Sequence, residues 1–279
     1  MSAPNAAQVT YWNGPIGKVW AKEQAKRDRD HAPMTMAGID LLAPKPGQRV
    51  LDSGCGSGTT TFLLAERAGP SGKAVGIDLS GPMLAVADAR RKEVSVAPEF
   101  IQGDVTDYPF APASFDCAFS QFGVMFFADS VASFAAVHRA MKKDGRLVFV
   151  CWRGANENPW SSVPESAAKP LLPPSAPVSP DAPGRYYFSD PERVNRVLSG
   201  AGFRDIALDK FDAKIHLGRT PEEAASSSID AGPLLRTLAE VDEPTRARVR
   251  EAVTARLSRE MGPGGVYLTG GCWLVSARG

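Results

Sequence analysis

The sequence predicts an α/β fold built on a doubly wound, mostly parallel sheet. Three observations lead to this prediction. Short apolar runs alternate with helical patterns between residues 47 and 152, glycine-rich turns connect them, and acidic residues end successive apolar runs. Strands that alternate with helices at this spacing form βαβ units, whose crossover helices cover both faces of a parallel sheet. The chain has 279 residues, of which 43% are hydrophobic and 23% charged, as in ordinary globular proteins.

The first predicted elements are helical. A charged, amphipathic stretch predicts a helix over about residues 9–32, and a second helix over about 34–43 ends before the breaker Pro44-Lys45-Pro46-Gly47. We expect residues 1–46 to form a helical lid ahead of the core. Residues 1–30 contain no apolar segment typical of a signal peptide, so the expected location is cytoplasmic.

Residues 47–152 are predicted to form the core. The residue after the second strand, Ser80, is the type that caps a helix, and Pro82 suits a first helical turn. The predicted elements are strands at 49–52, 74–78, 99–104, 115–120 and 146–152, with helices at 59–68, 83–93 and 130–142.

The rest of the chain is less regular. Residues 153–190 are rich in proline and predict either a meandering surface loop or a lid near a ligand. Residues 191–279 complete the sheet, with a helix at 191–201, a strand at 204–217 and a closing strand at 266–277. Two helices inserted at about 221–240 and 244–261 predict a cap or a dimer surface, and the choice between a monomer and a homodimer stays open.

A glycine loop follows the first strand and opens a helix. Gly54, Gly56 and Gly58 allow the backbone to approach a ligand closely, and a helix amino terminus presents unpaired N–H groups there. The dinucleotide fingerprint requires a sixth-position glycine, which is Thr59 in this chain. Asp52, just before the loop, would also repel a pyrophosphate. Both features disfavour a nicotinamide-dependent oxidoreductase and favour a cationic or zwitterionic ligand.

Two further carboxylates end the next strands. Asp78 ends the second strand, where an acidic side chain is placed to bind both hydroxyls of a ribose, and Asp104 ends the third. With Asp52 they occupy the carboxyl ends of three strands, which is the ligand side of an open α/β sheet. Each residue taken alone is also a common turn or cap residue, but the set indicates a nucleoside site.

At these positions the sequence resembles the class I S-adenosylmethionine-dependent methyltransferases. The resemblance is carried by residues 50–58 (VLDSGCGSG), 76–84 (GIDLSGPML) and 102–105 (QGDV), with later landmarks at 114–116 and 141–147. Residues 11–15, 122–127, 151–152 and 157–160 are similar to a bacterial branch resembling the ubiquinone/menaquinone biosynthesis methylases. The resemblance covers about residues 9–203. It implies a Rossmann-like, seven-stranded sheet whose last strand runs antiparallel.

The resemblance also implies a cofactor and its contacts. The cofactor would be S-adenosyl-L-methionine, converted to S-adenosyl-L-homocysteine. Each expected contact follows from a position in the family's motifs: Gly54, Gly56 and Ser57 along the methionine part, Asp52 near its ammonium group, Asp78 at the ribose, Met83 on the adenine, Asp104 and Val105 at the adenine amino edge, and Ser120 near the methionine.

Methyl transfer from a sulfonium is an in-line displacement, which a protein assists mainly by orienting the reactants and excluding water. A base is needed only if the acceptor must lose a proton, and His31 and His216 are candidates without an assignment. Trp12 and Trp20 are expected either to roof the cofactor or to anchor the first helix. An apolar or aromatic acceptor site is predicted from the residues Tyr11, Phe122, Phe126 and Tyr186.

Several function classes are disfavoured. A net charge of +1 and the absence of an Asn-Pro-Pro-Tyr type of motif after the fourth strand argue against nucleic acid as a partner, leaving a small-molecule methyl acceptor. No apolar run is long enough to span a membrane. The four cysteines are far apart and predict buried thiols, without metal-ligand spacing. A non-catalytic protein that only binds S-adenosylmethionine remains the alternative.

Overall fold

A computed structural model of the chain describes residues 5–174, 179, 181–239 and 241–279. The strands within them are β1 Arg49–Ser53, β2 Lys73–Asp78, β3 Glu99–Gln102, β4 Phe115–Gln121, β5 Met141–Trp152, β6 Arg204–Gly218, β7 Met261–Gly262 and β8 Gly265–Arg278. The α-helices are α1 Ala6–Asn13, α2 Pro15–Lys22, α3 Gln24–Leu42, α4 Thr59–Ala68, α5 Gly81–Arg90, α6 Ser130–Ala140, α7 Pro159–Ala168, α8 Pro191–Gly200, α9 Pro221–Ser226 and α10 Glu243–Leu257.

The strands form one mixed sheet in the order β3-β2-β1-β4-β5-β8-β6, with the short β7 paired to β8. The pairs from β3 to β5 are parallel, whereas β5 and β8 are antiparallel. This arrangement confirms the predicted doubly wound α/β fold and its antiparallel closing strand. Because β1 is flanked by β2 and β4, the loops that follow these three strands meet at one edge of the sheet.

The chain divides into two compact units. The first comprises Met1–Trp152, Asp181–Phe211 and Cys272–Gly279. Its core contains the fully buried side chains of β1, β4 and β5, and α3 contributes Met34 and Ile39 to it. Burial of this apolar area is the main favourable term in folding. The thiols of Cys55, Cys117, Cys151 and Cys272 are buried and form no disulfide bonds, as the sequence predicts.

The second unit comprises Arg153–Pro180 and Asp212–Gly271. Its α10 buries Val249, Val253 and Leu257, which repeat every four residues and therefore share one face of the helix. Asn158 is fully buried and bonds through its side-chain amide to the backbone of Arg153, Gly154 and Gly271.

The amino-terminal helices differ from the prediction. The chain forms three helices instead of breaking near residue 33, and Pro33 lies inside α3. The first break falls at Gly14, which is extended because a residue that precedes a proline avoids the helical region. Pro33 removes one hydrogen bond from α3, and the carbonyl group left over belongs to Arg29, an exposed residue.

Three further boundaries differ. β5 begins at Met141, five residues earlier than predicted, and its backbone is irregular at Asp144, where φ is +63°. The helix predicted over 221–240 ends at Ser226 as α9. A short π-helix, Ser227–Ala231, follows it, and Gly232-Pro233 then prevents the helix from continuing. The predicted loop 153–190 contains α7, and its residues 175–178 and 180 lie outside the described residues.

Candidate active site

A cavity of about 1150 Å³, its open mouth included, lies within the first unit at the carboxyl ends of β1–β4. Four loop regions that follow these strands line it, at residues 53–60, 77–83, 103–105 and 121–127. Side chains from the amino-terminal helices complete the wall. Ligand-binding cavities of α/β proteins are expected at this edge of the sheet.

The glycine loop forms the floor of the cavity. Gly54 has φ +72°, and a β-carbon there would lie 2.8 Å from Cα of Gly123 in the loop after β4. Gly56 has φ +53°, and a β-carbon there would lie 2.6 Å from Cε of Met83. The backbone contact requires glycine at position 54, whereas at position 56 the positive φ favours glycine, because the end of the Met83 side chain can move. Ser57 lies on the same wall, and its hydroxyl has no hydrogen-bond partner among the described residues.

Asp78 lies on the cavity wall at the end of β2. Its Oδ2 accepts a hydrogen bond from the Gly56 N–H and its Oδ1 one from the Ser80 N–H, each at 2.8 Å. Burial raises the pKa of the Asp78 carboxyl, while these two donors partly counteract the effect. An ionised carboxylate has about four acceptor positions, so about two remain for a ligand.

Asp104 and Val105 follow β3 and also line the cavity. The Thr106 N–H donates to Oδ1 of Asp104 at 2.9 Å, and the Asn5 side-chain amide donates to Oδ2. Asn5, just before α1, is itself buried and lies on the wall. The Asp104 carboxylate is therefore held in place by both its own turn and the amino-terminal segment.

Asp52 and Ser120 are both buried and are not among the residues that line the cavity. Oδ2 of Asp52 accepts hydrogen bonds from the hydroxyls of Thr60 at 2.6 Å and Thr61 at 2.7 Å. Burial raises the pKa of Asp52 to about 6 from 3.8. Through Oδ2 this carboxylate joins the end of β1 to the first turn of α4, whereas its buried Oδ1 has no hydrogen-bond partner among the described residues.

The amino-terminal helices are fixed to the loop after β2. The Ser80 hydroxyl donates to the Trp12 carbonyl at 2.8 Å, and the Gly81 N–H donates to Oδ1 of Asn13 at 3.0 Å. The Trp12 ring makes edge-to-face contacts with Trp20 at 5.6 Å and with Phe126 at 5.1 Å between centroids. Trp12, Trp20 and Phe126 all line the cavity. The contacts of Trp12 therefore join α1 to α2 and to the loop after β4, while the contact of the tryptophans with a cofactor stays a prediction.

One face of α3 supplies five wall residues, of which sequence reasoning named only His31. Gln24, Arg27, Asp28, His31 and Thr35 line the cavity and follow helical spacing. That spacing of polar residues, on a helix with few apolar positions, was the available signal.

An arginine of α5 joins this face to the glycine loop. Arg90 donates to the Ser57 carbonyl at 2.7 Å and to the Thr59 hydroxyl at 2.8 Å, and its other nitrogen lies 3.2 Å from Oδ2 of Asp28. Arg90 therefore fixes α3 against the loop that forms the cavity floor.

His31 reaches the cavity among aromatic rings. Its imidazole lies 5.1 Å from the ring of Phe122 and 6.0 Å from that of Trp152, and these two rings stack 4.3 Å apart. Burial, with smaller contributions from Arg27 and Lys26, lowers the pKa of His31 to about 3. The imidazole is therefore neutral near pH 7 and a weak base.

Besides Asp52 and Ser120, three predicted site residues are not on the cavity wall. Tyr11 contacts the Trp12 ring edge-on at 5.1 Å, and the Tyr186 ring lies 5.7 Å from the guanidinium carbon of Arg185. His216 belongs to the second unit, where its ring lies 4.7 Å from that of Tyr267. The other predicted residues, Gly54, Gly56, Ser57, Asp78, Met83, Asp104, Val105, Trp12, Phe122, Phe126 and His31, are brought together in one cavity.

The residues present fit S-adenosylmethionine. Acidic side chains at the ends of β2 and β3 suit hydroxyl and amino groups, and Met83 and Trp12 offer apolar surface. The buried Ser57 hydroxyl and the buried side-chain amide oxygen of Gln121 (Oε1) have no hydrogen-bond partner among the described residues. This is expected of groups that complete their hydrogen bonds with a ligand. Within the described part of the chain, no cluster of three His, Cys, Asp or Glu side chains suits a metal ion. None of the described helices is long and apolar enough to span a membrane.

Comparison with known proteins identifies the family. Residues 51–149 match a methyltransferase domain family. The nocamycin O-methyltransferase of Saccharothrix syringae is 31% identical over 244 residues, which are 82% of this chain and 83% of that protein. The chloroplastic 2-phytyl-1,4-beta-naphthoquinone methyltransferase of Arabidopsis thaliana is 29% identical over 183 residues, 64% of this chain and 69% of that protein.

The fold has counterparts among solved structures. The YcgJ protein from Bacillus subtilis superposes with a TM-score of 0.58 at 17% identity, covering 89% of this chain and 98% of that one. The sheet order, the glycine loop with its strand-end carboxylates, and the similarity to a methyltransferase along most of both sequences agree with one another. The chain belongs to the class I S-adenosylmethionine-dependent methyltransferases.

Proposed function

We propose that this enzyme methylates a small molecule with an apolar or aromatic skeleton, by in-line displacement, in the cavity at the carboxyl ends of β1–β4. One observation carries the proposal. A single cavity has a wall of glycine backbone and strand-end carboxylates on one side and a cluster of aromatic side chains on another. A cofactor and an acceptor need these two kinds of surface next to each other.

The first kind of surface suits the cofactor. Asp78 would hold the ribose hydroxyls with the acceptor positions that Gly56 and Ser80 leave open. Asp104 and Val105 would bind the adenine edge, and Met83 would pack on the adenine ring. The loop from Gly54 to Ser57 would follow the methionine part. Asp52 would stabilise this loop through its hydrogen bonds with Thr60 and Thr61.

The second kind of surface suits the acceptor. Trp12, Trp20, Phe122 and Phe126 line the same cavity, and Phe127 extends this aromatic cluster. Aromatic side chains bind flat, apolar rings through area burial and edge-to-face contacts. A naphthoquinone, which the name of the Arabidopsis relative contains, is a ring of this kind.

Methyl transfer requires little from the protein beyond positioning the two reactants. S-adenosylmethionine supplies a methyl group already activated on a sulfonium, so orientation and exclusion of water are the main contributions required. The helices α1–α3 contribute Trp12, Trp20 and His31 to the cavity wall, where these side chains would exclude water from the bound reactants. The buried, neutral His31 is the imidazole on the wall, and its lowered pKa makes it ineffective at removing a proton from a neutral acceptor near pH 7.

The test is turnover on a panel of hydroxylated naphthalenes, quinols, phenols, amines and thiols, followed by release of S-adenosylhomocysteine. We expect activity on aromatic acceptors and a loss of at least tenfold in kcat/KM for Phe126→Ala. The matched control is Phe110→Ala, a partly buried phenylalanine outside the cavity wall. Activity confined to small aliphatic amines or thiols, or an equal effect of both substitutions, would refute the proposed acceptor class.

A further inference from the structure

The side-chain amide of Asn5 lies on the cavity wall with its oxygen unused. Asn5 is 9% exposed and precedes α1. Its Nδ2 donates to Oδ2 of Asp104, whereas its Oδ1 is buried and has no hydrogen-bond partner among the described residues. A carboxylate only accepts hydrogen bonds, so this contact fixes which end of the amide faces Asp104. A buried acceptor without a partner is costly, and on a cavity wall it indicates a bond that a ligand completes.

The position of Asn5 in the chain does not explain this arrangement. Asn5 is the N-cap residue of α1, where an asparagine oxygen ordinarily accepts a backbone N–H of the first helical turn. No such bond forms here, and the amide contacts a residue 99 positions away instead. The other end of α1 is fixed independently, since the Asn13 side chain bonds to the Leu79 carbonyl at 2.9 Å and to the Gly81 N–H at 3.0 Å. The helix therefore keeps its place without the Asn5 amide.

Asp104 likewise keeps its orientation through its own turn. The Thr106 N–H donates to Oδ1 of Asp104 at 2.9 Å, and the Tyr108 N–H donates to its backbone carbonyl at 2.9 Å. A carboxylate has about four acceptor positions, of which Thr106 and Asn5 occupy one each. The open positions of Asp104 and the amide oxygen of Asn5 are therefore neighbouring acceptors on one part of the cavity wall.

We infer that Asn5 is a further cofactor-binding residue, whose Oδ1 accepts one N–H of the adenine amino group while the Asp104 carboxylate accepts the other. This inference rests on the proposed placement of the adenine edge at Asp104. The two acceptors of one amino group lie about 5 Å apart, because its two N–H bonds diverge in the plane of the ring. Oδ1 of Asn5 lies within roughly 5 Å of Oδ2 of Asp104, since the nitrogen of the same amide joins them.

Two neighbouring acceptors select a group that has two N–H donors. The 6-amino group of adenine is such a group, whereas the 6-oxo group of hypoxanthine only accepts. A purine with hydrogen at this carbon has the same ring but offers neither donor. It would leave the Asn5 oxygen and one position of the Asp104 carboxylate buried and unbonded, which costs affinity. The selectivity of the site for the amino group therefore measures the contribution of Asn5 separately from ring packing.

The experiment is calorimetric titration of the protein with S-adenosylhomocysteine and with its 6-deamino analogue, in which a hydrogen replaces the adenine amino group. We expect the wild-type protein to bind S-adenosylhomocysteine at least about 30-fold more tightly, because the analogue loses one charge-assisted and one neutral hydrogen bond. Asn5→Ala should reduce this preference by about threefold to tenfold, the contribution of one neutral hydrogen bond. The matched control is Gln8→Ala, which should leave the preference unchanged. The Gln8 side-chain oxygen is also buried without a partner among the described residues, but Gln8 does not line the cavity.

Asp104→Ala, measured in the same way, separates the inference from the proposed function. If Asp104→Ala loses most of the preference and Asn5→Ala keeps all of it, the adenine lies at Asp104 and the role of Asn5 is refuted. If Asn5→Ala weakens the binding of both compounds equally, Asn5 only fixes the amino-terminal segment, which also refutes the inference. If the wild-type protein binds both compounds equally well, or Asp104→Ala keeps the preference, the proposed placement of the adenine fails. If the wild-type protein binds neither compound, the proposed cofactor cavity itself is contradicted.

Discussion

Replacement of Asp78 by asparagine tests the assignment of the ribose end of the cavity. The two oxygens of Asp78 each accept one backbone N–H, from Gly56 and Ser80, and as a carboxylate they have about two acceptor positions left. Asparagine has one oxygen, so it loses the charge and at least one bond to a ligand hydroxyl. A hydrogen bond to a charged group contributes about 1.5–3 kcal/mol, which corresponds to about 10-fold to 150-fold in Kd.

The assay is calorimetric titration with S-adenosylhomocysteine at pH 7.5, with Tm measured on the same samples. Asparagine also leaves one of these two backbone N–H donors without an acceptor, so we expect Tm to fall modestly while the fold stays intact. Asp107→Asn is the matched control, since Asp107 is exposed and does not line the cavity. A Kd for Asp78→Asn within twofold of the wild-type value, with the fold intact, would refute the assignment of the ribose to Asp78.

Three other predictions concern the loop and its support. Burial raises the pKa of Asp52 from 3.8 to about 6. Between pH 4 and 6 the folded protein therefore keeps a proton that the unfolded chain has lost. The free energy of unfolding consequently falls as pH rises through this range, by up to about 3 kcal/mol. Asp52→Asn keeps an oxygen for Thr60 and Thr61 but has no proton to lose, so its free energy of unfolding, measured by urea titration, should not fall between pH 4 and 6. An equal fall in the variant and the wild-type protein would contradict the prediction. Gly123→Ala places a β-carbon 2.9 Å from Cα of Gly54. It should lower the free energy of unfolding by about 1–3 kcal/mol and weaken the binding of S-adenosylhomocysteine measured by calorimetry. The control Gly184→Ala, whose β-carbon meets nothing within 4 Å, should change neither quantity. Arg90→Met removes the hydrogen bonds to Ser57 and Thr59 and should raise the Kd for S-adenosylhomocysteine several-fold. An equal effect of Arg91→Met, at an exposed neighbouring position, would contradict this role of Arg90.

The parts of the site that could be predicted from the sequence depend on local rules. The glycine loop follows β1, Asp78 ends β2 and Asp104 lies two residues after β3. Parallel strands end at the same edge of the sheet, so these residues come together. Ser80 is an N-cap in the structure, as predicted, because its hydroxyl position depends only on the residues that follow it.

The parts that could not be predicted depend on distant contacts. The polar face of α3 becomes a cavity wall because Arg90, 62 positions after Asp28, bonds to it and to the loop. Periodicity identifies the apolar face of a helix but does not show which polar residues will be enclosed. The burial of Asp52 depends on the hydroxyls of Thr60 and Thr61, which reach it only once α4 has packed on β1.

The central claim is that the cavity at the carboxyl ends of β1–β4 binds the nucleoside cofactor of a methyltransferase. Calorimetric titration of the wild-type protein with S-adenosylmethionine and S-adenosylhomocysteine, with NADH as a control, tests it most directly. We predict one site per chain with a micromolar Kd for the first two compounds and no heat of binding with NADH. A folded protein that binds neither methionine compound, or that binds NADH instead, would contradict the account.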